Sequence, residues 1–543
     1  MASEEILHKT LHNADGKPFA KYKGLTNNFV MDDFELLVDE VQNDRAGHSR
    51  MRVRVPMRIA GFPEDTFSTE SRRTALRDLI ARRFWESART HARSPIPKTD
   101  GGEVYIPRPG QEVLERGSVA ITEYFVEVSF TADLPSSGGK VNALATEELI
   151  FGRIHRIICE SMMYKAYKQS KLYNHIQTVE NADHIRSVLD GMGLAAFVAV
   201  GSVLPRREDD LAPAVDAVPF DCSSDLKVSI EVPNGPAIEG LGIPKGFTLI
   251  AGPSRSGKSA LLDSIYAGVY NHIPGDGREY VISLPDSAYV ICEGGRPADS
   301  VDISMFVSGT DEFEDASKAL APSVSSPMSE LIAVSEAVEM GSRLILMDEE
   351  YSNPCVLRRG FMADDDRITP ISELGCSMSD SGISVIMVSG DATAVSLADR
   401  VLLMKGFRAE SADVGHKGSD AQYSMPETRY PVSKNMVFEK GRKEVSVVAQ
   451  AIRTVEIGEY KVSAPVAAFF DMAQTRAVAD AIAVAKELMD GSRSMKQVCD
   501  EAISAVMTYD PENGGSMYRA RPRSIDLAAV LNRHPQMLCI QKR

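Results

Sequence analysis

Gly252-Pro253-Ser254-Arg255-Ser256-Gly257-Lys258-Ser259 decides how this chain is to be read. The eight residues fit the pattern G-x-x-x-x-G-K-[ST], and both flanks agree with it. Phe247-Thr248-Leu249-Ile250-Ala251, just before, predicts a buried strand. Ala260, Leu261, Leu262, Ile265, Tyr266 and Val269, just after, fall on one face of a helix. Glycines let backbone wrap closely around an anion, and successive N–H groups at a helix N-terminus converge on phosphate oxygens. Residues Gly252 to Ala260 are therefore the candidate phosphate cradle. Lys258 would reach the β- and γ-phosphates, and the Ser259 hydroxyl would hold Mg²⁺. The loop implies a nucleoside triphosphate and leaves its use open.

With 543 residues the chain is too long for one hydrophobic core, so two to four domains are expected. Hydrophobic content of 43% and charged content of 25% are those of an ordinary soluble globular protein. The net charge of −16 argues against coating nucleic acid through overall charge, but leaves room for a local basic surface. Seven cysteines are scattered without a C-x-x-C pair, which fits a reducing compartment and gives no zinc site. No apolar run approaches membrane-spanning length, and the acidic start Met1-Ala2-Ser3-Glu4-Glu5 resembles neither a signal nor a transit peptide. The expectation is a soluble intracellular protein, cytoplasmic or alternatively mitochondrial, with no membrane partner.

Three blocks follow from composition: 1–173, 174–440 and 441–543. The first mixes alternating strand patterns with amphipathic helices and ends in a predicted helix from Glu147 through Tyr167. A Pro- and Asp-rich linker runs from Pro205 to Ala217. In the middle block, the strand-like runs Phe247–Ala251, Leu344–Met347 and Val385–Val388 alternate with helical patterns such as Ser329–Met340. This is the sequence form of an α/β domain with a mostly parallel sheet. Residues Ala409 to Thr428 read as a surface loop, and Ala473–Leu488 in the last block reads as a helix.

Arg343-Leu344-Ile345-Leu346-Met347-Asp348-Glu349 is an apolar strand ending in two carboxylates. Asp348 at such a strand end can hold Mg²⁺ through its water shell, and Glu349 can polarise an attacking water. The next strand ends in Ser389-Gly390-Asp391, where many NTPases of this layout carry a γ-phosphate sensor.

A carboxylate directly after the metal-binding aspartate is the ATP-binding-cassette arrangement. Over nearly its whole length the chain resembles the predicted ATPases of the ABC class. The shared strings are Asp15-Gly16-Lys17-Pro18-Phe19, Gly201-Ser202-Val203-Leu204-Pro205-Arg206 and His272-Ile273-Pro274-Gly275-Asp276-Gly277-Arg278-Glu279. Val301-Asp302-Ile303-Ser304, Ile368-Thr369-Pro370 and Asn532-Arg533 complete the set. The resemblance implies an α/β fold: an ABC-type P-loop ATPase core, an α+β N-terminal domain and a small C-terminal α+β domain. It implies ATP and Mg²⁺ as cofactors, Glu349 as the catalytic carboxylate, and a homodimer, because cassette sites are shared between two cores. The family includes a subunit of a kinetoplastid mitochondrial RNA-binding complex, so the resemblance suggests RNA as the partner.

Several segments depart from the family. Where relatives carry roughly S-G-S-T-S-Q in place of the cassette signature, this chain has Ser325-Ser326-Pro327-Met328-Ser329-Glu330. The glycine is gone, and a carboxylate near phosphate is repulsive. Glu350-Tyr351-Ser352-Asn353-Pro354 and Ser389-Gly390-Asp391-Ala392-Thr393 have also drifted, and Pro253, Arg255 and Ser256 replace glycine-rich positions. ATP binding survives these changes; efficient hydrolysis is put in question.

Ser49-Arg50-Met51-Arg52-Val53-Arg54-Val55 alternates strictly, so a strand would put Arg50, Arg52 and Arg54 on one face. Arg72, Arg73 and Arg77 follow on a helical segment. From Arg50 to Arg93 eleven arginines face five acidic residues, a net of about +6. Arginine favours bidentate phosphate contact and base stacking. Two readings stand, an RNA surface and a solvated face with locally paired charges; the resemblance favours RNA. Arg519, Arg521 and Arg523 are a weaker candidate, read as a solvated basic end. Trp85 and His272 read as structural, and Gly275–Glu279 as turn chemistry. Three functions compete: an ATPase coupling nucleotide state to RNA binding or remodelling, a non-catalytic ATP-binding scaffold, and a small-molecule kinase. The adjacent Asp348-Glu349 pair and the lack of an Arg-rich lid disfavour the last.

Overall fold

The computed structural model describes residues 2–44, 47–97, 99–208, 211–359, 367–413, 415–440, 446–465, 469–510, 512 and 517–542. Within the Pro205–Ala217 linker, Asp209 and Asp210 lie outside the described residues. The chain forms two units: Met1–Glu180 with Met507–Arg521, and Asn181–Val506 with Pro522–Arg543.

In the second unit, the loop strand Phe247–Ala251 lies between Arg400–Lys405 and Ser384–Val388 in a seven-stranded sheet. Beyond Ser384–Val388 come Leu344–Asp348 and Ala288–Val290, and all these neighbours run parallel. Alternation sorts their side chains between two cores. Phe247, Leu249, Ile345, Met347, Val385 and Met387 face one side, with residues of helices Ser326–Glu339 and Ile371–Asp380. Ile250, Leu344, Leu346, Ile386 and Val388 face the other, with Leu261, Leu262 and Ile265 of helix Lys258–Ala267. Apolar runs without polar alternation are what a parallel strand covered on both faces requires.

That helix shares its core with a second, antiparallel sheet ordered Lys227–Ile230, Ile238–Pro244, Leu194–Ala199, Val281–Ser283. The segment expected to be loop from Ala409 begins instead as strand Arg408–Ala412, antiparallel to Arg400–Lys405. Leu402, Met404 and Ala409 are buried here, and Arg408–Ala412 also pairs with the edge strand Asp221–Cys222, so the hairpin is part of the sheet rather than lying in solvent. The C-terminal part of this unit carries a three-stranded antiparallel sheet, Val447–Ala451, Thr454–Ile457 and Tyr460–Ser463. With it come helices Met472–Leu488 and Ser524–Leu531.

The first unit is α+β. Its sheet includes Glu35–Glu40, Ser49–Pro56 and Phe125–Ala132 as antiparallel neighbours. Met51, Val53 and Val55 are fully buried, as alternation predicts. Helix Glu70–Thr90 buries Leu76, Ile80 and Phe84, with the Phe84 and Phe130 rings 5.4 Å apart. The helix expected from Glu147 starts earlier, at Ala143, under an Asn142 side-chain cap. It passes through a π-helical stretch, Glu148–Ile154, and ends with His155–Ser161 rather than reaching Tyr167.

Candidate nucleotide site

The phosphate-loop candidates sit where the loop strand hands over to the helix. Gly252 has φ +147° and Gly257 φ +97°, and each is packed so closely that a side chain would clash. A Cβ on Gly252 would lie 2.5 Å from the Met404 carbonyl oxygen, and one on Gly257 would lie 2.7 Å from the Phe407 ring. The turn of the Arg400–Ala412 hairpin thus braces the loop from the sheet edge, and the Phe407 N–H donates to the Ser256 carbonyl oxygen at 3.0 Å. Neither Phe407 nor Met404 was singled out from the sequence. Arg255 adopts φ +60°, Pro253 accepts the Ser256 N–H at 3.3 Å, and Ser254 is exposed. Lys258 Nζ donates to the carbonyl oxygens of Gly252 and Pro253, at 3.1 and 3.2 Å, and so spans the loop's mouth. Ser259 and Ala260 occupy the first turn of helix Lys258–Ala267 and are half-buried. The buried Ser256 hydroxyl has no hydrogen-bond partner among the described residues.

Asp348 is fully buried at the end of its strand. Its Oδ1 accepts the Glu350 N–H at 3.0 Å, while Oδ2 is buried without a partner among the described residues. An orphaned carboxylate oxygen is costly to bury, and a hydrated cation is the group that would satisfy it, so the residues present fit Mg²⁺. Glu349 is exposed, and its Oε2 accepts the Gly390 N–H at 2.9 Å. The Ser389 N–H in turn donates to the Ile250 carbonyl oxygen at 3.2 Å. Loop, acidic pair and sensor segment therefore share one edge of the sheet. Asp391 turns away: it accepts from Arg358 at 2.6 Å and caps helix Ala392–Leu397. Despite the opposing effect of burial, these contacts lower its carboxyl pKa.

Asp263, five residues beyond Lys258, was not read from the sequence. It reaches solvent, yet desolvation by the surrounding protein and the nearby Asp348 charge push its carboxyl up to about 6. Its helical position gave no signal, because an acidic residue on an exposed helix surface is ordinary.

Two family strings, seventy residues apart, meet beside this core. Arg206 donates to Asp276 Oδ1 at 3.0 Å and Arg278 donates to its Oδ2 at 2.9 Å. His272, fully buried, lies 3.3 Å from the same Oδ2, and burial pushes its imidazole down to about 3. Gly277, at φ +80°, leaves no room for a Cβ against Val203. The segment read as turn chemistry is thus a buried ion knot holding two connections together.

The signature-like segment differs from expectation in one respect. Glu330 is fully buried and turned inward, with its Oε2 accepting the Asn353 N–H at 2.7 Å. Its carboxylate is therefore not offered to a phosphate on the outer surface, and the repulsion expected from it does not arise there. Burial pushes this carboxyl up to about 7.

The arginine strand also requires correction. Arg50, Arg52 and Arg54 do share a face, but carboxylates from neighbouring strands share it too. Arg52, 3% exposed, binds Asp39 through two hydrogen bonds of 2.7 and 2.8 Å and reaches Glu127 at 3.4 Å. Arg54 donates to Glu127 at 2.7 Å, and Arg50 pairs with Glu40 at 2.9 Å. Arg72 grips Glu180 through two 2.7 Å bonds, and Arg77 donates to the carbonyls of Val119 and Arg116. Arg73 pairs with Glu70 at 3.0 Å. Arg50 and Arg73 are the most exposed of the six. Arg521, though exposed, pairs with Glu115, and Arg523 holds Asp526 at 2.8 Å, so these two arginines of the basic end are engaged by neighbouring carboxylates. Trp85 is half-buried between the guanidiniums of Arg89 and Arg108, each 5.2 Å from its ring.

No helix among the described residues is long and apolar enough to cross a membrane. Residues 168–441 match the P-loop domain of ABC ATPases, residues 4–165 the N-terminal domain of ATPases of the ABC class, and residues 446–539 the MRB1590 C-terminal domain. The uncharacterized protein MJ1628 of Methanocaldococcus jannaschii is 26% identical over 258 residues, 45% of this chain and 57% of that protein. The match thus spans little more than half of that relative's length. Among solved structures, cbiO1 from Clostridium perfringens, part of the ABC transporter complex cbiONQ, is 14% identical with a TM-score of 0.24. That alignment covers 40% of this chain and 87% of cbiO1. MJ1267, an ATP-binding cassette of an ABC transporter in its ADP conformation, is 13% identical with a TM-score of 0.24, covering 39% and 89%. With half of its length matching the P-loop domain and nearly all the remainder matching the two companion domains, the chain belongs to the family of ABC-class ATPases.

Proposed function

We propose that this chain binds ATP at Gly252–Ala260, hydrolyses its terminal phosphate, and couples nucleotide state to RNA binding. The nucleotide part of this reading rests on one observation. Parallel neighbours Phe247–Ala251, Ser384–Val388 and Leu344–Asp348 end at a common edge, with the phosphate loop, Gly390 and Glu349 there. Backbone N–H groups at the start of helix Lys258–Ala267 favour the phosphate charge. Lys258 exchanges its two carbonyl contacts for phosphate oxygens, which are stronger acceptors for an ammonium. Mg²⁺ held by Ser259 and Asp348 would supply charge neutralisation at the phosphates. Glu349 orients the attacking water and takes its proton, while the Gly390 N–H keeps the carboxylate aimed along the sheet edge. A homodimer follows from the way cassette sites are completed by a second core. RNA is the partner suggested by the family resemblance; Arg50 and Arg73, the most exposed of the candidate arginines, are its proposed contacts.

A second reading, a scaffold that binds ATP without turnover, is favoured by the lost glycine in Ser325–Glu330. An ATPase assay with and without RNA separates the two. Lys258→Ala should abolish nucleotide binding. Glu349→Gln should keep binding and slow phosphate release by about 10²–10⁴-fold. Wild-type phosphate release that Glu349→Gln leaves unchanged would exclude catalysis at this site.

A further inference from the structure

The first unit contains a cluster unconnected with nucleotide chemistry. Helix Glu4–Ala14 turns Leu7, Leu11 and Ala14 inward and carries His8 and His12 one helical turn apart. Glu147, at the end of helix Ala143–Glu147, meets both. Its Oε1 lies 2.6 Å from His8 Nδ1 and 3.2 Å from His12 Nε2, and the three ligand atoms fall within 4.8 Å of one another. The cysteine spacing predicts no zinc site, but these donors are imidazole and carboxylate.

We propose that His8, His12 and Glu147 form a binding site for a divalent first-row transition metal of zinc's class, clamping the first helix to the helix at Ala143. Five features support it. Two histidines at i and i+4 present their ring nitrogens on one helix face, the spacing that zinc-binding helices use. A tetrahedral ion with bonds of about 2.0–2.2 Å holds its ligand atoms about 3.4 Å apart, so the present spacings need only small side-chain adjustments. His8 is already oriented: its ring stacks on Phe151 with centroids 4.5 Å apart and planes 7° from parallel. Its second nitrogen, Nε2, faces Glu4 Oε1 at 3.7 Å, the outer carboxylate partner that metal-bound histidines commonly have. Three protein ligands leave a coordination position for water, and the exposed edge of His12, 67% accessible, gives the ion a way in.

The other donor cluster of this kind among the described residues, Cys376, Asp399 and His416, has its groups engaged. Cys376 donates to Leu397 and Asp399, Asp399 accepts the Phe247 N–H, and His416 Nδ1 meets the Ala398 carbonyl. Burial and Asp399 push the Cys376 thiol up to about 12, which opposes the thiolate a metal needs.

The test uses untagged full-length protein stripped with a chelator and titrated with ZnCl₂ by calorimetry, and separately with Co²⁺ by absorption. The expected result is one strong zinc equivalent per chain, a zinc-dependent rise in Tm reversed by chelator, and cobalt d–d bands without a sulfur charge-transfer band. His8→Ala and His12→Ala should each weaken zinc at least about 100-fold, and Glu147→Gln about 10–100-fold. Their metal-free circular dichroism should match wild type. If His8→Ala fails to fold, His12→Gln, at the most exposed ligand, carries the test. The proposal is overturned if wild type binds no zinc at about 100 µM, a concentration that would saturate any site with a Kd near 1 µM or below. It is also overturned if binding persists when both histidines are replaced, or if it depends on His416 with a cobalt–sulfur band.

Discussion

At the scale of single residues, Glu330 puts a buried carboxylate in the signature-like segment, and its placement has a measurable consequence. The side chain is fully buried, with one oxygen on the Asn353 N–H and the other without a partner among the described residues. The folded chain holds this proton up to about pH 7, whereas an unperturbed glutamate releases it near 4.5. Between those values the folded state binds more protons than the unfolded one, so stability falls as pH rises through this window. Above it, ionised Glu330 costs on the order of 3 kcal/mol. Glu330→Gln restores the amide that relatives carry, keeps an acceptor for Asn353 and removes the charge. Thermal melts should show the variant more stable than wild type at pH 8, with the gap closing near pH 4.5. Equal Tm values at pH 8 would mean that the carboxylate is hydrated after all.

At the scale of elements, the strand, loop and helix around Gly252–Ser259 were legible because each obeys a local period. Alternation marks a strand, a 3.6-residue stripe marks a helix, and glycines mark the turn between them. The acidic strand and the sensor strand were legible on the same ground. The brace under the loop was not. Phe407 and Met404 meet Gly257 and Gly252 only because Arg400–Lys405 lies beside Phe247–Ala251, a pairing between positions some 150 residues apart. Nothing in the local sequence marks Phe407 or Met404 for that role. The helix at Ala143 starts earlier than the sequence pattern predicts because the Asn142 side chain caps it, and it passes through a π-helical turn before ending at Ser161. The brace makes a graded prediction for nucleotide affinity, measured by titration with a fluorescent ATP analogue. Phe407→Ala leaves the hairpin but removes the ring behind Gly257, and should weaken binding about tenfold, near 1.4 kcal/mol. Gly257→Ala forces a side chain to 2.7 Å from that ring at a φ of +97°, and should be the more damaging of the two. Nucleotide affinity left unchanged by Phe407→Ala would show that the ring does not hold the loop.

At the scale of the whole molecule, the lesson lies in charge. Residues 50–93 carry a net of about +6 when counted along the chain, inside a protein of net charge −16. In three dimensions the offsetting carboxylates arrive from elsewhere: Glu35, Asp39 and Glu40 from one strand, Glu127 from another, Glu180 from a helix. The segment 507–521 adds uncharged contacts, with the Glu512 carbonyl accepting from Arg52 and the Tyr509 hydroxyl donating to Glu127. A window along the sequence cannot see partners that only the sheet brings together, which is why the arginine face looked more open than it is. The consequence is a division of labour that mutation can expose. Arg52→Ala leaves Asp39 and the buried Glu127 short of a counter-charge, and should destabilise the first unit by about 3–5 kcal/mol. Arg50 and Arg73 form exposed pairs worth at most about 1 kcal/mol each, so removing both should leave Tm nearly unchanged. If RNA docks on this face, that double variant should bind single-stranded RNA more weakly at low salt. It should also flatten the salt dependence by roughly 0.7 per lost phosphate contact. RNA affinity that falls with Arg52→Ala only in step with unfolding, and is untouched by the double variant, would place the RNA surface elsewhere on the chain.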